Sequence, residues 1–242
     1  MLEASGLHSD PGHANLLEDP RITWASEIIG PLSGKRILEL GPLEGAHTYM
    51  LDKLGASVVA VEANANAYLK CLCMKEVLGM RNAKFLLGDF MKLKWDDLHF
   101  DAIFASGVLY HMTEPLTLIH KMAAATRRIF IWTHYYDAEI VASRQDRELF
   151  SAPFEVAPGL TASRRLYPEA ALSWRGFSGG PEAYAVWLEK GSIMRALSAL
   201  GYSVVTNFDH IDHPNGPAVA LCAVRPGSIL RRMAYRLNIP YK

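Results

Sequence analysis

The stretch Lys35-Arg-Ile-Leu-Glu-Leu-Gly-Pro-Leu-Glu-Gly45, followed by Ser57-Val-Val-Ala-Val-Glu62, decides the architecture. Arg36 to Leu40 is a short apolar run halted by Gly41-Pro42, which predicts a buried strand ending in a sharp turn. Glu44 to Leu54 has the spacing of a helix that Gly55 caps, and Ser57 to Glu62 is a second strand rich in β-branched residues. Neither strand alternates polar with apolar residues, so both should be covered on both faces. Strands of that kind, joined by helices, make a parallel doubly wound sheet rather than an antiparallel meander.

The alternation continues outward. Asn64 or Asn66 caps a helix in which Leu69, Cys73 and Val77 recur at four-residue steps before Gly79. Ala83 to Leu87 predicts a third strand, closed by Gly88-Asp89, and Phe100 to Ala105 a fourth. Thr113-Glu-Pro opens a helix, with Thr113 as the capping residue, and Arg128 to Trp132 is a fifth strand. After Trp132 the pattern stops, through Pro153, Pro158 and Pro168 to the glycines Gly176, Gly179 and Gly180. Ser192 to Leu200 resumes as a helix. Tyr202 to Asn207 and Ala218 to Val224 predict an antiparallel hairpin turning at Asn215-Gly-Pro217. The expectation is an α/β fold, a doubly wound mostly parallel sheet with an antiparallel C-terminal hairpin strand. It forms a single domain over residues 1–242, with a helical extension over 1–32, an inserted substrate cap over 133–190 and a basic tail over 225–242.

Composition narrows the function. Of 242 residues half are apolar, and 25 Lys+Arg balance 25 Asp+Glu, which disfavours a generic nucleic-acid coat. No uncharged apolar stretch approaches the ~20 residues of a transmembrane helix. The N-terminus lacks the basic start and apolar block of a signal peptide. Cys71, Cys73 and Cys222 form neither a disulfide framework nor a CxxC pair, so a cytoplasmic protein is expected. Asp209-His-Ile-Asp-His213 has the donor types of a metal site, but it runs into the Asn-Gly-Pro turn, and no metal is expected. The tail from Arg225 has five basic residues and no acidic one, suited to RNA, an anionic surface, its own domain or a second subunit of a homo-oligomer.

In an open α/β sheet the ligand lies beyond the carboxyl ends of the strands. Strand one ends at Glu39, Gly41 and Gly45, where glycines allow a close backbone turn into a helix with free N–H groups. Strand two ends at Glu62, a carboxylate able to accept both hydroxyls of a ribose. Strand three ends at Asp89 and Phe90, an acceptor for an adenine amino group and a ring for the base.

These residues, in this order at successive strand tips, resemble the class I S-adenosylmethionine-dependent methyltransferases over roughly Ser33 to Val224. The resemblance implies their Rossmann-like sheet and S-adenosylmethionine as cofactor. Glu39-Leu-Gly41-Pro-Leu43-Glu-Gly45 is similar to the family's acidic-x-Gly-x-Gly-x-Gly loop, with Leu43 in place of the middle glycine. The resemblance assigns the ribose to Glu62, the adenine to Asp89 and Phe90, and the cofactor's reactive end to the segment Ala105-Ser106-Gly-Val-Leu-Tyr110-His111. A nicotinamide dinucleotide would require Gly-x-Gly-x-x-Gly, which the loop does not supply. Gly107 to His111 and Trp187 to Tyr202 are similar to the tRNA wobble-uridine carboxymethyltransferase branch, and to bacterial methyltransferases of sugars and secondary metabolites.

Methyl transfer to an alcohol gains from a base near the strand tips. His134, with Asp137 able to orient it or to act separately, and His111 are the candidates. Tyr110 and Tyr136 are expected as acceptor-binding walls, and Trp174 and Arg175, beside a glycine run, as part of a lid. The expected activity is methyl transfer to an oxygen, less readily a nitrogen, of a small molecule or glycan. A tRNA-modifying transferase and a non-catalytic partner subunit are the alternatives.

Overall fold

Strand β1 (Arg36–Leu40) is buried after its first residue, and β2 (Ser57–Glu62) lies parallel to it with Glu39 opposite Ala60. The computed structural model describes residues 17–172 and 182–226. The chain makes two compact units, one ending at Lys94 and taking in Phe100–Phe104, the other made of Trp95–His99 and the chain from Ala105 onward.

In the first unit, α1 (Pro20–Ile29) precedes β1, α2 (Ala46–Lys53) joins β1 to β2, and α3 (Ala65–Leu78) joins β2 to β3 (Ala83–Leu87). Pairing is parallel throughout, with β2 also against β3, and β1 also against the start of β4 (Ala102–Ser106). Each helix begins for a local reason. Asp19 accepts from the Arg21 N–H ahead of Pro20, and Asn64, not Asn66, caps α3 by accepting from the Asn66 and Ala67 N–H groups. Gly45 opens α2 in the left-handed region at φ 82°, and a Cβ there would lie 3.2 Å from the Phe85 ring of β3. Ile37, Leu40, Val58 and Leu51, all buried, fill the unit's core, each contributing about 1.5–3 kcal/mol on leaving water.

The second unit has α4 (Pro115–Ala125), β5 (Arg128–His134), α5 (Ala138–Ala142), β6 (Phe154–Ala157), β7 (Leu160–Leu166), α6 (Glu169–Leu172), β8 (Tyr184–Leu188), α7 (Lys190–Ala199), β9 (Ser203–His210) and β10 (Ala218–Val224). The expected hairpin forms: β10 runs antiparallel to both β5 and β9. The main sheet has seven strands in the order β3-β2-β1-β4-β5-β10-β9, and β6-β7-β8 form a second, antiparallel sheet.

Three details differ from expectation. Thr113 does not cap α4: Glu114 holds the cap position without a side-chain hydrogen bond, and Pro115 opens the helix. β5 continues two residues past Trp132, because β10 supplies partners as far as Ala218 opposite His134. Residues 154–166 and 184–188 form strands within the inserted region, where none was expected: the first two mix polar and apolar residues, whereas the third is the short apolar run Tyr184-Ala-Val-Trp-Leu188. Residues 173–181, with Trp174 and Arg175, and 227–242, most of the basic tail, lie outside the described residues, as does most of the extension before α1. No described helix is long and apolar enough to cross a membrane.

Candidate functional site

In the first unit the acids gather at the carboxyl ends of β1 and β2. Glu39 is buried, and the Thr48 hydroxyl of α2 donates to its Oε2 at 2.5 Å. Burial pushes its carboxyl up to about 6, with the nearby Glu62 adding to the effect and His47 opposing it. A carboxylate in that state gains from a cationic partner, so the donor chemistry fits the ammonium of an amino-acid group. Glu62 accepts the Leu43 N–H on Oε2 at 2.9 Å and the Asn64 N–H on Oε1 at 2.8 Å. Each oxygen keeps a lone pair for a further donor, which fits the two hydroxyls of a ribose.

The loop between them is shaped by its backbone. Gly41 lies at φ 60°, and its N–H donates to the Val61 carbonyl at 2.9 Å. Leu43 adopts φ 55° in the left-handed region, the conformation a glycine at this place would take freely, with its side chain about half exposed. The Glu62 carboxylate and the Cys71 thiol, which donates to the Leu43 carbonyl at 3.2 Å, hold it there. Glu44 is an exposed ion pair with Lys70. Asp89 caps a short turn by accepting the Met91 N–H on Oδ1, its Oδ2 lies 3.6 Å from Lys92, and the Phe90 ring is buried. His47, which sequence reasoning passed over, pairs with Asp19 at 2.8 Å. Asp19 also binds Arg21, and these two partners hold its carboxyl well below the usual range despite burial.

In the second unit Ser106 ends β4 half-buried, and Gly107, at φ 78°, donates its N–H to Trp132. Tyr110, His111, His134, Tyr136 and four residues not anticipated as site residues come together: Trp187 of β8, Tyr167, His213 and Gly216. The Tyr110 ring meets His134 edge-on at 4.6 Å, His134 stacks on Trp187 at 5.2 Å and 8°, and His213 packs on His134 at 4.8 Å. Tyr136 is buried with Val141, Tyr167 and Trp187. His111 Nδ1 shares a hydrogen bond with the Tyr167 hydroxyl at 2.9 Å.

The partners of His134 settle its tautomer. Nδ1 lies 2.8 Å from the Gly216 carbonyl and 3.3 Å from that of Pro217, and since carbonyls only accept, Nδ1 carries the proton. Nε2 is left as the basic nitrogen. Burial, with the charge of Arg165 and the neighbouring His213 acting the same way, holds the imidazole down at about 4. His111 is also held down at about 4, by burial, His134 and Arg165. Both rings are therefore neutral at neutral pH.

Asp137 does not orient His134: its carboxylate caps α5 by accepting from Glu139 and Ile140. Gly216 does so instead, at φ 112°, with a Cβ position 2.8 Å from Trp187 Cζ3 that leaves no room for a side chain. The Asn-Gly-Pro signal disclosed a turn but not its target. Asp209 accepts from the Tyr135 hydroxyl at 2.9 Å and from Lys190 Nζ at 2.5 Å. Among the described residues no group of three or more His, Cys, Asp or Glu is placed to hold a metal.

Residues 38–128 match the family described as "Methyltransferase domain". The chain is similar to a tRNA U34 carboxymethyltransferase of Ectopseudomonas mendocina, 33% identical over 118 residues that cover 47% of this chain and 34% of that protein. It is also similar to one of Photobacterium profundum, 29% identical over 101 residues covering 41% and 31%. The match thus spans about a third of the length of these curated relatives. Among solved structures, the N-terminal domain of EvdMO1 with S-adenosylhomocysteine bound aligns with TM-score 0.68 at 23% identity, covering 87% of this chain and 83% of that one. Magnesium protoporphyrin IX methyltransferase of Synechocystis PCC 6803, also with S-adenosylhomocysteine, aligns with TM-score 0.59 at 17% identity, covering 89% and 90%. Residues 38–128 thus match a methyltransferase domain, and the solved neighbours share the fold of the chain.

Proposed function

We propose that this protein transfers a methyl group from S-adenosylmethionine to an oxygen of a small-molecule or glycan acceptor, with nitrogen the less favoured atom. When bound, the cofactor supplies an electrophilic methyl group on a sulfonium. Glu39 would hold its ammonium and Glu62 its ribose hydroxyls, with Gly41 and Gly45 keeping the loop close, Asp89 and Phe90 at the adenine, and Ser106 toward the reactive end. His134 Nε2 would take the proton of the acceptor hydroxyl, with Tyr110 and Tyr136 as walls and His111 as a second base. Trp174 and Arg175 would close over the acceptor.

The observation that carries the proton-transfer reading is the lock on His134 Nδ1, which gives the ring the tautomer of a base with a depressed pKa. A hydroxyl acceptor profits from such a base, whereas proximity and orientation supply most of the remaining barrier reduction. The test is calorimetry with S-adenosylhomocysteine together with methyl transfer to a panel of hydroxylated acceptors. Binding with no transfer by wild type, or turnover unchanged in His134→Ala, overturns the assigned roles.

A tRNA-modifying activity is the second reading, supported by the printed names of the curated relatives. It predicts retention of tRNA that weakens steeply with salt. Retention indifferent to salt, or none, removes it.

A further inference from the structure

The small sheet carries a cation and an N–H donor that the proton-transfer reading leaves unused. In the β7–β8 register Ser163 lies opposite Trp187 and Arg165 opposite Ala185, so Arg165 and Trp187 share one face. The Arg165 guanidinium sits over three rings, Trp187 at 5.3 Å, Phe150 at 5.8 Å and Tyr167 at 5.9 Å. A guanidinium has five N–H donors. Among the described residues those of Arg165 make one hydrogen bond, to Asp146 Oδ2 at 3.5 Å. Asp146 is already taken by Arg144 at 2.7 and 3.1 Å. Arg165 Nε is buried without a hydrogen-bond partner, and so is the indole N–H of Trp187, a residue 2% exposed. Two buried, unanswered donors on one sheet face are unusual, because each forgoes the hydrogen bond it had in water.

We infer that Arg165 and the Trp187 indole N–H form an oxyanion subsite that receives an acidic group, carboxylate or phosphate, of the methyl acceptor. Its occupant is assigned to the acceptor because Trp187 is the ring stacked on His134. An oxyanion suits this place: it answers both donors, and it neutralises a cation that otherwise sits among apolar rings with one long ion pair. It also brings an anion near the two histidines whose protonation Arg165 opposes. The substrate class is thereby narrowed to hydroxylated acids and phosphorylated alcohols or sugars. The inference rests on the methyl-transfer reading for the identity of the occupant, but not for the binding itself.

The full chain, labelled with nitrogen-15, shows the Trp187 indole signal directly, identified by its loss in Trp187→Phe. It is titrated at constant ionic strength with sodium phosphate and, separately, with sodium benzoate, each up to roughly 50 mM, the range for a weak single-group contact. The expected result is a saturable shift of that signal, with the tighter probe naming the source. Arg165→Gln should weaken the response at least about tenfold, as for a lost charge-assisted hydrogen bond. Arg165→Lys should retain part of it, and this variant decides the matter should the glutamine variant fail to fold. Arg164→Gln, on the opposite face between Phe154 and Tyr184, should leave it unchanged. A silent Trp187 signal, or a shift that survives Arg165→Gln, overturns the subsite. Calorimetry with S-adenosylhomocysteine on the same sample separates the two readings. Cofactor binding with a silent Trp187 removes only the subsite, and a responsive Trp187 without cofactor binding removes only methyl transfer.

Discussion

Around the ends of β1 and β2 the buried polar side chains are acids, Glu39 and Glu62, held by a hydroxyl and by backbone N–H groups. Around β5 and β8 they are neutral rings about His134, with one guanidinium, Arg165, beside them. Burial acts on both regions and favours the uncharged form in each, but the sign of the shift is opposite. It raises the Glu39 carboxyl to about 6 and lowers the His134 imidazole to about 4. The same physical effect therefore prepares one region to gain from a cation and leaves the other a free lone pair at neutral pH.

Substitution breaks the comparison most severely. His134→Ala should lower turnover by about 10²–10⁴-fold while S-adenosylhomocysteine affinity stays within about twofold. Glu62→Ala should do the reverse at the binding step, weakening affinity roughly a hundredfold through lost charged hydrogen bonds. Calorimetry and initial rates on both variants check the pair; equal effects on affinity would mean that the two regions do not divide the labour.

Acidity sharpens it next. A cationic group prefers ionised Glu39, so affinity should fall by up to about tenfold per pH unit below about 6. Turnover at saturating cofactor should hold until pH nears 4, where His134 protonates. Stability follows the sign of the histidine shifts. His134 and His111 lie at about 4 folded against 6.5 ordinarily, so between those values the unfolded chain binds more protons. Their contribution is intact above about pH 6.5 and is lost as pH falls toward 4, measurable as a falling Tm across that window.

Backbone geometry gives the smaller effects. Gly216→Ala adds a Cβ 2.8 Å from a buried indole at a positive φ, and should destabilise the fold by about 1–3 kcal/mol, a drop of several degrees in Tm. It should also disturb the His134 tautomer, visible in the nitrogen-15 shifts of its ring. Leu43→Gly removes left-handed strain but adds unfolded-chain entropy, and should change stability by less than about 1 kcal/mol in thermal melts.

Much of the first region was legible because its residues are close in sequence to the strands that place them. Arg36–Leu40, Ser57–Glu62 and Ala83–Leu87 are each a local apolar run ended by a turn, and the observed bounds agree with those expected. Glu39 and Glu62 followed as the residues at the tips. The second region was legible only in part: His134, His111, Tyr110 and Tyr136 were anticipated, while the residues that give His134 its chemistry were not. Gly216 is 82 residues from His134, and Trp187 lies on a short apolar strand whose meeting with His134 no local pattern announces.

By itself the sequence determined the alternation of strands and helices, the antiparallel return of β10 and the acids at two successive strand tips, because periodicity, turn residues and capping act over a few residues. The tertiary structure decided which groups meet. That Leu43 takes a glycine's conformation, that Asp137 caps a helix while Gly216 holds His134, and that Arg165 lies among rings beside an unanswered indole are outcomes of packing between distant segments. Burial and hydrogen-bond geometry, which set those roles, exist only once the chain has closed on itself.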